Sequence, residues 1–267
     1  MRTSDSARAM SLAAEVAALL PARHGAGWTF APAPAAARPA ARLSNGPRHL
    51  LLTPDGGRTM LATGTPDTAD VSLTVAGSTP AAVAGAALRT LLPRIDHALD
   101  PPPARRSHRL HYLAEVAARL RELGASPTQF ERADHTTALA WQLGDAAVHF
   151  SLHGTRPTGT VGFAGRLGVI EQFLAPFLPP HPGPGRVRAT AHRGCGGVAR
   201  RVMAAYAHAV ESDADGLVRF TDSDGGPLQG WVMPRDVNGP TGPRTPVTAG
   251  VTGVGVDLIL SALPTLT

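Results

Sequence analysis

The sequence contains no lysine, a single cysteine and few aromatic residues. All 25 side chains in the Lys and Arg count are Arg, Cys195 is the one cysteine, and aromatic residues make up 4% of the chain. A single cysteine excludes an internal disulfide and a thiolate metal cluster, so nothing indicates an oxidising compartment and we expect the cytoplasm. A phosphate-binding P-loop is excluded as well, because that motif requires a Lys before Ser or Thr.

Long apolar runs are also absent. The first twenty residues are interrupted by Asp5, Arg8 and Glu15, so they predict an amphipathic helix rather than a signal peptide. The apolar stretch at residues 253–263 contains Asp257 and has about half of the ~20 residues that a membrane span requires. The sequence therefore predicts no membrane partner.

The length and the charge set the broad expectations. The chain has 267 residues, 43% of them hydrophobic, and carries a net charge of +5. Because one domain usually has about 100 to 200 residues, we expect two compact units and an appendage. The positive net charge permits a polyanionic partner such as nucleic acid, although a solvated basic surface explains the charge equally well.

A short internal repeat divides the chain. The stretch AEVAA occurs at residues 14–18 and again at 114–118, each time within a pattern of helical periodicity. The apolar faces of these two predicted helices are Leu12, Val16, Leu19 and Leu20 in the first, and Leu113, Val116, Leu120 and Leu123 in the second. Each helix is followed by strand-like stretches and by a closing helix that ends at Leu-Pro.

In the first unit the predicted strands are RHLLL, RTMLAT and DVSLTVA. The closing helix is predicted to begin with Thr79 as a cap and Pro80 in the first turn, and to end at Pro93. In the second unit the closing helix is LGVIEQFLAPFL, which is predicted to end at Pro179 and Pro180.

A β-hairpin is predicted in the second unit. Apolar and polar residues alternate on both sides of Gly144-Asp145, a two-residue turn signal. The register that follows from this turn places Trp141 opposite Val148 and Leu139 opposite Phe150, all on one face of the sheet. This face requires a cover, which the flanking helices can supply.

We therefore predict an α+β protein of two related units, each a three-stranded antiparallel meander packed by helices, with a C-terminal helix-hairpin tail. The predicted boundaries are 1–100 for the first unit, 101–109 for a Pro/Arg linker, 110–180 for the second unit and 186–267 for an Arg-rich helix-hairpin tail with a Pro/Gly-rich end. In the tail, one helix is predicted from the apolar residues Val198, Val202, Tyr206 and Val210, spaced four apart, and a hairpin is predicted after it in GLVRFTDSDGGPLQGWVM. Regular structure is not predicted after Pro234. We further hypothesise that the sheets of the two units pair edge to edge, which would bury two exposed edges.

Three turn motifs carry a resemblance to a known family. They are Gly27-Trp28-Thr29, the stretch at residues 53–58, and Ser78-Thr79-Pro80 leading into an Ala/Leu helix. The chain resembles a domain of unknown function that is common, often in tandem, in Streptomyces and related actinobacteria, over residues 20–95 and again over 124–179. The family usually has a Trp in the third strand, where this chain has DVSLTV. The resemblance implies no activity, cofactor or catalytic residue.

The best candidate binding residues are arginines in a segment without acids. This segment, residues 186–201, contains Arg186, Arg188, Arg193, Arg200 and Arg201. Such a cluster could bind nucleic acid or another anion, or it could be an ordinary solvated basic face.

Cys195 lies in a glycine-rich loop of the same segment, ahead of a predicted helix. The positive end of a helix and nearby Arg lower the pKa of a thiol, so a reactive Cys195 is a hypothesis. His192 is close in sequence, but no third group that would orient a base can be named.

No metal site or catalytic centre is predicted. His149 and His153 lie on one face of a strand but four residues apart, which separates them by roughly 13 Å, too far to share an ion. His108 and His111 lack a carboxylate or cysteine nearby that would complete a site. We predict no catalytic residue, no metal and no cofactor.

Three functional hypotheses remain. The first is a non-enzymatic binding or adaptor protein with an unknown protein partner, because duplicated small domains without a polar constellation suit interaction surfaces. The second is a nucleic-acid-binding protein that uses residues 186–201. The third is an enzyme that relies on Cys195.

Overall fold

Helices and antiparallel strands are both present, which confirms the predicted α+β class. The structure, a computed structural model, describes residues 2–23, 25–33, 38–65, 68–77, 79–99, 105–131, 136–152, 158–178, 197–206, 210–212, 217–221, 227–236 and 241–267. The chain forms two units, Met1–Pro101 and Pro102–Thr267. Among the helices within these ranges, none combines the length and the apolar character needed to cross a membrane.

The first unit is a five-stranded meander flanked by helices. Its elements are α1 (Arg2–Leu19), β1 (Thr29–Pro32), β2 (Ala41–Asn45), β3 (Arg48–Asp55), β4 (Arg58–Thr65), β5 (Thr68–Ala76), α2 (Pro80–Ala86), a π-helical turn (Ala87–Leu91) and α3 (Leu92–Leu99). The strand order in the antiparallel sheet is β1-β2-β3-β4-β5. The predicted count of three strands is corrected to five. The two missed strands are short, and the side chains of β1 are all exposed, so neither has a long alternating pattern.

The closing helix of the first unit begins as predicted but does not end as predicted. Thr79 Oγ1 accepts a hydrogen bond from the N–H of Ala82 at 3.4 Å, which confirms the cap. The prediction that Pro93 ends the helix is wrong, because α3 continues to Leu99. Pro93 follows a π-helical turn and lies in the first turn of α3, where its fixed φ and missing N–H are tolerated.

The buried face of α1 differs from the prediction at one position. Leu12, Val16 and Leu20 are buried, but Leu19 is 47% exposed. Ala9 and Ala13 complete the buried face instead. The apolar stripe therefore follows the small alanines at helical spacing, and the larger Leu19 lies outside it.

An ion-pair cluster is buried in the first unit. The carboxylate of Asp96 lies 3.6 Å from Arg23 Nη1 and 3.0 Å from Arg48 Nε, and the three side chains are between 2% and 7% exposed. The guanidinium of Arg48 also lies 5.2 Å from the ring centroid of Trp28. Trp28 donates its indole N–H to the carbonyl oxygen of Pro21 at 3.1 Å. The cluster therefore joins α3, β3 and the chain that follows α1.

The second unit contains one eight-stranded antiparallel sheet. Its elements are α4 (Arg105–Glu122), β6 (Thr128–Glu131), β7 (Thr137–Leu143), β8 (Ala146–Leu152), β9 (Thr158–Arg166), α5 (Leu167–Leu174), α6 (Gly197–Tyr206), β10 (Val210–Ser212), β11 (Val218–Thr221), β12 (Gln229–Pro234), β13 (Pro246–Gly255), α7 (Val256–Ala262) and a 3-10 turn (Leu263–Thr265). The strand order is β10-β11-β12-β13-β9-β8-β7-β6. The predicted three-stranded meander is thus a meander of four strands, extended by four more.

The second unit is itself built from two copies of one plan. Each copy reads helix, four antiparallel strands, helix: α4, β6 to β9 and α5 in the first half, and α6, β10 to β13 and α7 in the second. The halves join through their last strands, because β9 pairs antiparallel with β13. The segment that was predicted to be a separate tail therefore completes the sheet of the second unit.

Several details of the predicted tail are corrected by this arrangement. Val210 was assigned to a helix but begins β10, because α6 ends at Tyr206. The hairpin of β11 and β12 is confirmed, with Val218 opposite Val232. The region after Pro234 contains the ten-residue strand β13 and the helix α7, although no regular structure was predicted there. Residues 235–245 are rich in Gly, Pro and Asn, a composition that predicts turns, so the strand that begins directly after them was not predicted.

The predicted pairing between the sheets of the two units is wrong. The described strands form two separate sheets, one of five strands and one of eight. Joining edge to edge does occur in the chain, but between β9 and β13 inside the second unit.

The predicted hairpin is confirmed in register and in burial. Trp141 is opposite Val148 and Leu139 is opposite Phe150, and all four side chains are no more than 2% exposed. The turn requires Gly144, which has a φ of +60°.

The helix α5 covers the apolar side of this sheet, as predicted. Its apolar residues Ile170, Phe173, Leu174 and, beyond its end, Phe177 are buried. The ring of Phe173 lies 4.9 Å from that of Phe163 on β9. The predicted helix end at residues 179–180 lies outside the described residues. Full burial of one such Phe contributes about 1.5 to 3 kcal/mol to the stability of the unit.

Candidate functional site

The eight-stranded sheet has a second face whose side chains point away from the buried core. Trp141, Val148 and Phe163 are buried on the core side, so the residues that alternate with them lie on the opposite side. Cross-strand pairing connects these residues into two neighbouring rows. We call them the open sheet face: one row is Gln142, Ala147, Ala164, Thr248 and Met233, and the other is His149, Gly162, Gly250, Trp231 and Arg219.

Most of the open sheet face is accessible. Gln142, Ala147 and Ala164 are exposed, while Thr248 is half-buried. Two large apolar side chains are exposed as well, with Trp231 at 37% and Met233 at 41%. Large apolar side chains grouped on a surface are a feature of binding sites, whereas single ones are ordinary.

Two glycines lie at the centre of the open sheet face, each beneath an aromatic ring. Gly162 on β9 and Gly250 on β13 are directly opposite each other where the two halves join. A Cβ atom on Gly162 would collide with the imidazole of His149, and one on Gly250 would lie 2.8 Å from Trp231 Nε1. Each ring therefore lies across the neighbouring strand and covers a glycine, an arrangement that also supports glycines in sheets.

The two rings present a flat surface at the junction of the halves. His149 is paired with Gly162 and Trp231 with Gly250, so the row runs imidazole, glycine, glycine, indole. One side of each ring rests on the backbone, and 37% of the Trp231 side chain remains open to solvent. This arrangement can bind a ligand by surface contact, but it contains no nucleophile and general-base pair.

The open sheet face carries little charge. Arg219 is the Cα partner of Trp231 and is exposed, and it is the one Arg, Asp or Glu among the ten residues. The nearby Arg166 at the end of β9 lies 2.6 Å from Asp145 of the hairpin turn, so its charge is compensated locally. The face is therefore mainly neutral, with aromatic, small and hydroxyl side chains.

The predicted arginine cluster is only partly described. Arg186, Arg188 and Arg193 lie outside the described residues. Arg200 on α6 is exposed, while the neighbouring Arg201 pairs with Glu171 of α5 at 3.3 Å. The structure therefore shows one of these arginines in an ion pair between two helices.

The structure describes only some of the residues that were considered for a reactive thiol or for the two histidine pairs. Cys195 and His153 lie outside the described residues, as does the side chain of His108. His149 covers Gly162, and His111 is exposed on α4. Within the described ranges, no group of three or more His, Cys, Asp or Glu side chains is placed to hold a metal ion.

A cavity of about 680 Å³ lies beside the loop between β12 and β13. Its described lining consists of Arg235, Asp236 and residues 241–246. The loop also accepts hydrogen bonds from the first turn of α5, because the N–H groups of Leu167 and Gly168 donate to the carbonyl oxygens of Thr245 and Pro243, both at 2.9 Å. The lining that is described contains one carboxylate and no His or Cys, so it offers no acid–base pair for catalysis.

Trp231 and Met233 are candidate binding residues that were not predicted from the sequence. Their hairpin was predicted, but the face on which the two large side chains lie was not. Val232 and Pro234 alternate with them and are buried. This alternation could have indicated that Trp231 and Met233 point away from the core.

Comparison with known proteins gives no relative. No protein-family model, no curated protein and no solved structure matches this chain.

Proposed function

We propose that the chain is a non-enzymatic binding or adaptor protein that holds a protein partner on the open sheet face. The observation that carries this proposal is the exposure of Trp231 and Met233 beside the covered glycine pair. The opposite face of the same sheet is packed with buried side chains, so these two residues are not needed for the core.

The composition of the face favours a protein over a polyanion. Trp and Met are enriched in the centres of protein interfaces, and Trp in particular supplies much of the binding energy there. Nucleic acid requires a basic groove, whereas the open sheet face has a single Arg. The resemblance to a tandem actinobacterial domain without known activity is compatible with this proposal, as is a cytoplasmic location.

Copurification from the native host with mass spectrometry tests the proposal. The tagged wild-type chain is compared with the double variant Trp231→Ala, Met233→Ala, and with Leu19→Ala as the control, because Leu19 is an apolar residue of α1 that is 47% exposed. We expect a protein that is recovered with the wild type and the control and lost with the double variant. Equal recovery with all three would overturn the proposal.

Nucleic-acid binding through residues 186–201 is the second candidate. Arg200 is exposed on α6, which is the observation that favours it. This function predicts an affinity for DNA or RNA that decreases steeply with salt concentration. The nuclease-treated arm of the same copurification separates the two candidates, because a partner recruited through nucleic acid disappears after the treatment.

A further inference from the structure

The two halves of the second unit show how this fold extends its sheet. The last strand of each half, β9 or β13, pairs antiparallel with the other over nine residue pairs from Pro246–Arg166 to Gly255–Thr158. Each of these strands leads directly into the closing helix of its half, at Leu167 in α5 and at Val256 in α7. The last strand is therefore the surface through which one copy of the plan joins another.

The first unit follows a similar plan with five strands instead of four, and no described strand pairs with its last strand on the outer side. It begins with α1, continues through an antiparallel meander and ends with β5, which leads into α2 after three residues. By its position in the plan, β5 corresponds to β9 and β13. It lies at the edge of its sheet, with β4 on one side and no described strand on the other.

Val71 and Leu73 on the core side of β5 are less buried than Val161 and Phe163 on the core side of β9. Val161 and Phe163 of β9 are 0% and 2% exposed, because the sheet and its helical cover continue past them. Val71 and Leu73 point to the core side of β5, since they are opposite Thr63 and Leu61, yet they are only half-buried. A strand paired on the free side of β5 would extend the core over them.

The unpaired edge of β5 has few of the features that protect edge strands from pairing: one charged residue, Asp70, and a register irregularity at that position. Natural edge strands are short, or carry charges or proline. The opposite edge, β1, has four residues and ends in Pro32. By contrast β5 has nine residues, contains no proline, and has Asp70 as its one charged residue. Its Val, Thr and Leu content is typical of strands that pair well.

We propose that β5 pairs antiparallel with β5 of a second copy of this chain. The resulting sheet has ten strands, five from each copy, joined as β9 and β13 join the halves of the second unit. Antiparallel pairing of a strand with itself satisfies the two-fold symmetry of a homodimer, in which both copies contribute the same surface. This inference does not depend on the proposed role of the open sheet face.

Charge variants on β5 test the dimer. Ser72 and Thr74 are exposed on the side opposite to Val71 and Leu73, so substitutions there avoid the core. We expect a wild-type dimer by analytical ultracentrifugation, and monomers for Ser72→Arg with Thr74→Arg and for Ser72→Asp with Thr74→Asp, because like charges across the two-fold axis repel. An equimolar mixture of the two variants should recover a dimer of one chain of each kind, which also shows that both variants fold.

The control adds the same charges elsewhere. Thr221 and Thr252 are exposed on strands of the second unit, so Thr221→Arg with Thr252→Arg should remain a dimer. A monomeric wild type at 100 μM, or a dimer that both charge pairs leave intact, would overturn the proposal.

Hydrogen exchange of the wild type provides a measurement that needs no variant. The backbone amides of residues 68–76 should be protected at high protein concentration and should exchange at least tenfold faster after dilution into the monomer range. Unchanged exchange of this segment while the dimer dissociates would place the interface elsewhere and overturn the assignment to β5.

Discussion

Trp141 donates its indole N–H to the main-chain carbonyl oxygen of Leu266 at 2.7 Å, a buried hydrogen bond between residues 125 positions apart. Gln172 reinforces it, since its Nε2 donates to the carbonyl oxygen of the adjacent Thr265 at 2.8 Å. The C-terminal segment is thus attached to β7 and α5 of the same unit. Two side chains in the first half of the unit, Trp141 and Gln172, therefore hold the end of the second half.

The substitution Trp141→Phe should destabilise the second unit by about 1 to 3 kcal/mol, because it leaves the carbonyl of Leu266 buried without this donor. Urea unfolding followed by far-UV circular dichroism measures the change. The matched control is Trp231→Phe, where the ring is exposed and the change should stay within about 0.5 kcal/mol. Equal losses in both variants would contradict a specific role for the hydrogen bond.

Two glycines of β9 should differ in their tolerance of alanine. A Cβ on Gly159 would collide with the main-chain oxygen of Ser151, whereas one on Gly162 would collide with the ring of His149. Backbone cannot move aside as a side chain can, so we expect Gly159→Ala to cost about 3 kcal/mol and Gly162→Ala about 1 kcal/mol.

A double-mutant cycle checks this explanation for Gly162. In a His149→Ala background the ring is gone, so the cost of Gly162→Ala should decrease, and the cost of Gly159→Ala should not. Thermal unfolding of the single and double variants provides the comparison. A cost of Gly162→Ala that is the same in both backgrounds would show that His149 does not limit the space there.

The local parts of the fold could be predicted from the sequence. The hairpin of β7 and β8 follows from alternation and a two-residue turn, and the cap at Thr79 follows from neighbouring residues. These features depend on contacts within a few positions, which sequence patterns record directly.

The long-range pairing could not be predicted in the same way. The contact between β9 and β13 joins Gly162 to Gly250, and no turn or spacing relates two strands so far apart in the chain. The open sheet face depends on this pairing, because it brings His149 and Trp231 to adjacent glycines. A candidate site that is assembled across two halves requires the topology before its residues can be recognised.

The buried ion-pair cluster should be far more sensitive to substitution than an exposed ion pair of the same unit. Asp96→Ala removes a carboxylate that two buried guanidinium groups share, so we expect a loss of about 3 to 5 kcal/mol in the first unit. Asp55 pairs with Arg38 at 2.6 Å with both side chains 66% exposed, and Asp55→Ala should cost about 0 to 1 kcal/mol. Urea unfolding of the two variants side by side measures the difference, and similar losses would contradict the importance of burial.

The exposure of Trp231 provides a spectroscopic test of the open sheet face that needs no partner. The chain has three tryptophans, of which Trp28 and Trp141 are 8% and 2% exposed and Trp231 is 37% exposed. Acrylamide should therefore quench the emission of Trp231 preferentially, and Trp231→Phe should shift the remaining emission to shorter wavelength and remove most of the quenching. Trp28→Phe serves as the control, in which efficient quenching should persist. If Trp231→Phe leaves the quenching unchanged, then the indole is covered in solution, and the surface proposed to bind a partner is not available.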